Sequence, residues 1–216
     1  GDDQFQENGK HISDMFNQSS FTTTTVTNQQ TIAVFGTGAV GLAAMMASKI
    51  SGCTRVIAGD IAPSRLELAK ELGATDTINS KDEDPVKKIQ ELTNGYGVDY
   101  AVDTTGLPAV MKPALDALAQ GGTLVVIAVT PHDFTFSTWN DLCVGDKKVI
   151  GVNMGDAIPQ IDVPRLIRFN KLGMFDYEKT EKFFDFEDIN EANQASVSGK
   201  VIKPVLIIDK DYKPSE

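Results

Sequence analysis

Gly36-Thr37-Gly38-Ala39-Val40-Gly41 follows the apolar run Thr31-Ile32-Ala33-Val34-Phe35 and opens a helix-like run from Leu42 to Ile50. A second apolar run, Arg55-Val56-Ile57-Ala58-Gly59, ends at Asp60, nineteen residues after Gly41. The glycine spacing alone is a weak signal. Strand, glycines, helix, strand and acid in that order point to a dinucleotide site. Gly36 lets the chain turn sharply as the strand ends. Gly38 lets a pyrophosphate approach the backbone, and Gly41 lets the helix pack tightly on the strand. The helix N-terminus offers unpaired N–H groups and partial positive charge to the phosphates, so Thr37, Ala39 and Val40 join the candidate site. Asp60, with Ile61 beside it, is placed to accept hydrogen bonds from the adenosine ribose. Its charge repels a 2′-phosphate, which favours NAD over NADP; Arg65 works the other way. The competing reading is a glycine-rich turn in an ordinary α/β protein, and the flanking runs argue against it.

Composition sets the outer bounds. A chain of 216 residues holds one sizeable domain, or one domain plus pieces of another. Hydrophobic residues at 41% and charged residues at 23% describe a soluble globular protein. A net charge of −10 with no basic patch argues against nucleic acid as a partner. No apolar run has the length of a membrane span. Gly1-Asp2-Asp3-Gln4 has neither the basic nor the apolar region of a signal peptide. Cys53 and Cys143 are the two cysteines, too few for a cysteine zinc cage. They read as separate buried or half-buried thiols in a cytoplasmic protein.

From residue 31 the chain alternates between strand and helix. Strands are expected at Thr31–Phe35, Arg55–Gly59, Thr75–Asn79, Asp99–Asp103, Thr123–Val129 and Lys148–Val152. Helices are expected at Val40–Ile50, Pro63–Leu72, Pro85–Thr93, Ala109–Leu118 and Val163–Lys171. This order predicts an α/β fold with parallel pairing, right-handed crossovers and helices on both faces. The unbroken run Leu124-Val125-Val126-Ile127-Ala128-Val129 suits a strand covered on both sides. The tail reads as strand Glu181–Phe186, helix Glu187–Ser196 and strand Lys200–Ile208. The polar stretch 1–30 differs from the rest, and Phe21 to Thr27 reads as a strand on its Thr and Val content.

Together these residues resemble the zinc-containing, medium-chain alcohol dehydrogenase family, and within it most closely the aryl-alcohol (benzyl-alcohol) dehydrogenases. The resemblance rests on Gln18-Ser19-Ser20-Phe21-Thr22-Thr23, on Ala33 through Leu42, and on Ser64 through Thr75. It continues in Gly97-Val98-Asp99-Tyr100, Asp103-Thr104-Thr105-Gly106, Asp188-Ile189-Asn190-Glu191-Ala192 and Gly199 through Pro204. It implies a Rossmann domain with a doubly wound, six-stranded parallel sheet at 31–174. Residues 1–30 and 175–216 would be remnant strands and a helix of a second, catalytic domain. The implied reaction is reversible hydride transfer between an alcohol, aromatic and primary, and NAD, with an alcohol or aldehyde as the small-molecule partner. The resemblance maps Asp60 to the ribose acid and Arg65 to a basic residue beside it. It places Thr104 and Gly106 along the adenosine, and Ile127, Ala128 and Val129 where backbone groups meet the nicotinamide carboxamide. It also implies a homodimer or homotetramer through the sheet edge near Val149–Met154.

The family carries a catalytic zinc bound by Cys and His, a structural zinc bound by four cysteines, and a segment joining the Ser-Ser-Phe strand to the first Rossmann strand. Here Gln29-Gln30 runs directly into Thr31, and those ligands have no counterparts. His11 lies in the polar N-terminal stretch and His132 in a loop, so no metal ligand and no catalytic residue is assigned. Asp82-Glu83-Asp84 reads as a helix N-terminus. Phe183-Phe184-Asp185-Phe186 reads as a packed strand. The 216-residue chain is therefore expected to bind NAD without turning over alcohol. Two other classes stay open: a regulatory module that senses nucleotides, and a zinc-independent quinone or enoyl reductase relative that prefers NADPH.

Overall fold

The computed structural model describes residues 30–209 together with Gln6–Glu7 and Lys10–His11, two short strands paired antiparallel. The strand expected at Phe21 to Thr27 lies outside the described residues. Two compact units divide the chain, Gly1–Phe175 and Asp176–Glu216.

The first unit is built on β1 (Thr31–Phe35), β2 (Arg55–Asp60), β3 (Asp76–Asn79), β4 (Val98–Asp103), β5 (Leu118–Val126) and β6 (Lys148–Gly151). They form one six-stranded sheet in the order β3-β2-β1-β4-β5-β6, parallel throughout. The crossovers carry α1 (Ala39–Ile50), α2 (Pro63–Glu71), α3 (Pro85–Leu92) and α4 (Pro108–Asp116). Side chains alternate along β1, so each face of the sheet receives helices. Ala33 and Phe35 join Ile89 of α3 and Ala114 and Leu115 of α4 in one core. Val34 points the other way, toward α1 beneath Gly41. Ile32, Val34, Ile57, Val102 and Leu124 are fully buried, as a sheet covered on both sides requires.

The strand order reverses beside β1. From β1 the chain runs outward through β2 and β3, then returns to place β4 on the other side of β1. The crevice at the carboxyl ends of β1 and β4 is the topological switch point, where open α/β sheets bind ligands.

Several boundaries differ from expectation. Helix α4 ends at Asp116 instead of Leu118, and β5 begins at Leu118. Gly121-Gly122 lies in an irregularity of β5. The register jumps there from Val98 opposite Leu118 to Tyr100 opposite Thr123, with Gly121 at φ +76°. At its far end β5 stops at Val126, so Ile127, Ala128 and Val129 form the loop beyond the strand. A π-helical turn, Thr138–Cys143, was not foreseen; the Ser137 hydroxyl caps it by accepting the Asn140 N–H. Helix α5 (Pro159–Lys171) starts four residues before Val163. The Asp162 carboxylate accepts the Ile158 N–H at 2.7 Å and secures that earlier start. Pro164 sits within the helix. Asp84 caps α3 by accepting N–H bonds from Val86 and Lys87, which fits the helix-terminus reading of the acidic run.

In the second unit β7 (Glu181–Asp185) and β8 (Lys203–Ile207) pair in parallel through α6 (Ile189–Val197). Parallel strands require such a crossover. Phe184, Ala192 and Val201 form its small core. Phe186 leaves the strand for a 3-10 turn, Phe186–Asp188, so α6 begins two residues after Glu187. β8 begins at Lys203 instead of Lys200.

Candidate dinucleotide site

The glycine loop joins β1 to α1, and its three glycines have separate causes. Gly36 adopts φ +90°, a conformation that L side chains rarely adopt. A Cβ there would also lie 2.5 Å from the Thr104 hydroxyl oxygen. At Gly41 a Cβ would lie 1.9 Å from the Gly36 carbonyl oxygen, so helix and loop touch backbone to backbone. Gly38 is different. It has φ −75° and ψ −173°, open to any residue, and a Cβ would meet no protein atom within 4 Å. The chain itself makes no demand for glycine there.

The first turn of α1 has no cap. Leu42 donates the first intrahelical bond, to the Gly38 carbonyl at 2.9 Å. The N–H groups of Ala39, Val40 and Gly41 therefore have no intrahelical acceptor. No side chain caps the helix, and its first turn contains no acid. The uncapped donors and the helix dipole together favour an anion.

Asp60 closes β2 and is nearly buried, at 9% exposure. Four protein donors hold its carboxylate. Oδ2 accepts the Thr37 N–H and the Thr37 hydroxyl, both at 2.7 Å. Oδ1 accepts the N–H groups of Ile61 at 2.7 Å and Ala62 at 3.0 Å. Burial pushes the Asp60 pKa up, but the Thr37 hydroxyl and the three backbone donors outweigh it and hold the group below the ordinary carboxylate range. Asp60 is thus a fixed negative charge at the sheet edge of the crevice. Arg65 lies in the first turn of α2, and its Nε is buried with no hydrogen-bond partner.

The loop after β4 forms the next wall. Asp103, fully buried, accepts the Thr105 N–H and hydroxyl at Oδ1 and the Gly106 N–H at Oδ2. The Thr104 hydroxyl lies within 3.0 Å of the Phe35 carbonyl oxygen and 3.1 Å of the Gly36 carbonyl oxygen, which ties this loop to the glycine loop. Gly106 has φ +67°, and a Cβ there would lie 2.6 Å from the Thr130 Cβ. The Thr130 hydroxyl donates to the Gly106 carbonyl at 2.8 Å, which latches the β4 loop to the β5 loop.

These contacts run in one series across β2, β1, β4 and β5. Asp60 bonds Thr37, Gly36 abuts Thr104, and Gly106 abuts Thr130 and Ala128. All fourteen residues singled out in the sequence lie in these loops or in the strand ends and helix turns next to them. Ile127 continues the ladder by one bond to the Asp103 carbonyl, at 3.1 Å, before the chain leaves the sheet. Val40, Ile61 and Val129 are exposed apolar side chains in the same row, as is Leu107. Sequence reasoning did not assign Asp103, Thr105 and Thr130. The Asp-Thr-Thr-Gly pattern was a usable signal, because an Asp side chain that bonds backbone two and three residues on builds such a turn.

The cysteines are separate. Cys53 is half-buried, and burial, helped by the nearby Asp99 charge, pushes its thiol to about 11. Cys143 is exposed, contrary to the expectation of a covered thiol. Among the described residues no group of three His, Cys, Asp or Glu side chains could hold a metal ion.

A glycine loop, an uncapped helix and a buried acid at the switch point define a nucleotide-binding α/β domain. The sequence profile of the zinc-binding dehydrogenases matches residues 39–171, and the chain belongs to that family. Its relatives include the geraniol dehydrogenase of Castellaniella defragrans, 35% identical over 179 residues, with 82% of this chain and 48% of that protein covered. The crystal structure of an alcohol dehydrogenase zinc-binding domain protein from Burkholderia ambifaria is 41% identical, with a TM-score of 0.84 over 91% of this chain and 53% of that one. The benzyl alcohol dehydrogenase of Acinetobacter calcoaceticus is 37% identical, with a TM-score of 0.83 over 93% of this chain and 55% of that one. The chain spans about half the length of these relatives and corresponds to their nucleotide-domain region. The family implies a nicotinamide dinucleotide and zinc in the full-length enzymes. The dinucleotide fits this chain, because Gly38 opens beside free helix N–H groups. Zinc finds no ligand set among the described residues.

Proposed function

We propose that this chain binds NAD(H) as the nucleotide domain of an alcohol dehydrogenase. The observation that carries the reading is Gly38, where glycine is required by no protein atom within 4 Å yet stands at an uncapped helix N-terminus. The N–H groups of Ala39, Val40 and Gly41 would hold the pyrophosphate, and Asp60 would face the adenosine ribose. Thr104, Gly106, Ile61 and Arg65 would flank the adenosine. Ile127, Ala128 and Val129 would position the nicotinamide, which supplies the hydride acceptor when bound.

In the full-length enzyme the reaction would be reversible oxidation of a primary alcohol to an aldehyde. Similarity to benzyl alcohol and geraniol dehydrogenases supports a carbinol carbon next to an unsaturated carbon. Lys148–Gly151 is an edge strand of the sheet, and its pairing with a second copy would make the dimer. Titration of the chain with NADH and NADPH, followed by cofactor fluorescence and calorimetry, tests the reading. Saturable binding with NADH preferred supports it; NADPH preference favours the reductase class; binding of neither overturns it.

A further inference from the structure

Thr37 occupies the variable position between the first two glycines, where a backbone N–H is all the loop needs. Its side chain is nevertheless fully buried, and its hydroxyl is spent on Asp60. From the four-donor clamp on the Asp60 carboxylate, and resting on the dinucleotide reading above, we infer that Thr37 is the positioning residue that makes this site select an unphosphorylated ribose.

Protein donors hold both oxygens of the Asp60 carboxylate. Here Ile61 and Ala62 take one oxygen and Thr37 takes the other twice. The Ile61 and Ala62 bonds come from the backbone just after β2, so they fix Oδ1 relative to the acid's own strand. Only Thr37 fixes Oδ2 relative to the glycine loop. The Thr37 hydroxyl therefore joins the group that meets the ribose to the loop that meets the phosphates. Both ends of the adenosine diphosphate unit are then recognised by one rigid part. The bond is charge-assisted and buried, the class of hydrogen bond that holds geometry best. A ribose diol gains from an oxygen held in one place. A 2′-phosphate meets a negative charge that cannot turn away. Selectivity thus depends on the clamp as well as on the acid.

The test uses the 216-residue chain and the variants Thr37→Val, Thr37→Ser and Asp60→Asn, with NADH and NADPH titrated against each. Thr37→Val keeps the shape and the backbone N–H but removes the hydroxyl. Its NADH affinity is expected to fall about 10-fold with NADPH affinity unchanged or improved, from the loss of one charge-assisted bond. Thr37→Ser restores the hydroxyl and is expected within about 3-fold of the parent chain, since it recovers that same bond. Adding Thr37→Val to Asp60→Asn is expected to change NADH affinity no further, because the two side chains act as one unit. Equal NADH affinity in parent and Thr37→Val overturns the inference while the dinucleotide reading stands. So does a Thr37→Val variant that loses NADH and NADPH in equal proportion, since a merely structural role predicts that. If Thr37→Val fails to fold, Thr37→Ala, which also lacks the hydroxyl, replaces it in the same titrations and in the pair with Asp60→Asn, with the same outcomes deciding. A parent chain that binds neither cofactor overturns both readings.

Discussion

Gly41 and Gly38 lie three residues apart in one motif, and the structure predicts opposite consequences for the same substitution. Gly41→Ala places a Cβ 1.9 Å from the Gly36 carbonyl oxygen, where ordinary contact begins at 3.4 Å. The obstructing atom is backbone, so no rotamer change relieves the overlap. Helix α1 must move off β1 by more than 1 Å, or Gly36 must abandon its turn, on the order of an ångström-scale core rearrangement. Either movement disturbs Leu42, Met45 and Met46, which α1 buries against the sheet. Overpacking of a tight interior costs about 1–3 kcal/mol, and a rigid backbone clash belongs at the upper end. For a chain of this size about 3 kcal/mol lowers Tm by roughly 6–12 °C. Gly38→Ala meets nothing within 4 Å, at backbone angles that alanine adopts freely. Its stability is expected to stay within about 0.5 kcal/mol of the parent. The two variants are compared by urea unfolding and calorimetry without cofactor, then by NADH titration. Gly41→Ala loses stability first; Gly38→Ala keeps stability and loses NADH affinity. A stable Gly41→Ala, or a Gly38→Ala as destabilised as Gly41→Ala, would refute the division between packing and ligand glycines.

Three shorter predictions follow from the same contacts. The Asp60 carboxyl sits below its ordinary value because its hydrogen bonds outweigh its burial, so the unfolded chain takes up that proton first as pH falls. Its stabilisation is complete above about pH 4 and is lost as pH falls through the lower folded value. Urea midpoints from pH 6 to 3 should therefore drop less steeply in Asp60→Asn than in the parent. Asp103→Ala leaves the Thr105 and Gly106 N–H groups without their carboxylate, and a loss of about 2 kcal/mol is expected in chemical unfolding. Cys143 is exposed, whereas Cys53 is covered with its thiol at about 11. At pH 8 a disulfide reagent should modify Cys143 quickly and reach Cys53 only in denaturant, because about 0.1% of the Cys53 thiol is then ionised.

The sheet was legible because most of its strands carry a short apolar run, and each crossover helix is bounded by Pro or Gly. Pro63, Pro85 and Pro108 occupy first helical turns, and Gly73 follows α2 at φ +114°. The glycine loop and Asp60 were legible because local order alone specifies them. What failed depends on contacts distant in sequence. Leu124 to Val129 is uniformly apolar, so nothing local marks Val126 as the strand's end. That end is set where β4 and β6 stop supplying partners, at Asp103 and Gly151. Asp162 moved the start of α5 by reaching back to Ile158, a side-chain bond that a periodicity reading does not see. The Thr130 latch could not be read locally either, since its acceptor lies 24 residues earlier. The same holds for Thr37 and Asp60, 23 residues apart and joined only once β1 and β2 pair.

Cofactor binding and alcohol turnover should therefore separate in this chain. The hydrophobic core of the first unit is closed by its own strands and helices, with Ile32, Ile57, Ile89, Leu115 and Leu124 at zero exposure. The candidate nucleotide site is assembled from four loops of that same unit. Alcohol oxidation asks for more. A catalytic zinc would supply the Lewis acid for the alcohol oxygen, and it takes three protein ligands. No such cluster exists among the described residues. The 216-residue chain, supplied with NAD, benzyl alcohol and zinc, is expected to bind the dinucleotide and to form no NADH above the uncatalysed background. Absorbance at the NADH band, read alongside a binding isotherm on the same sample, distinguishes the two functions. Zinc-dependent NADH formation that a chelator abolishes would show that the separation is wrong and that ligands come from residues outside those described.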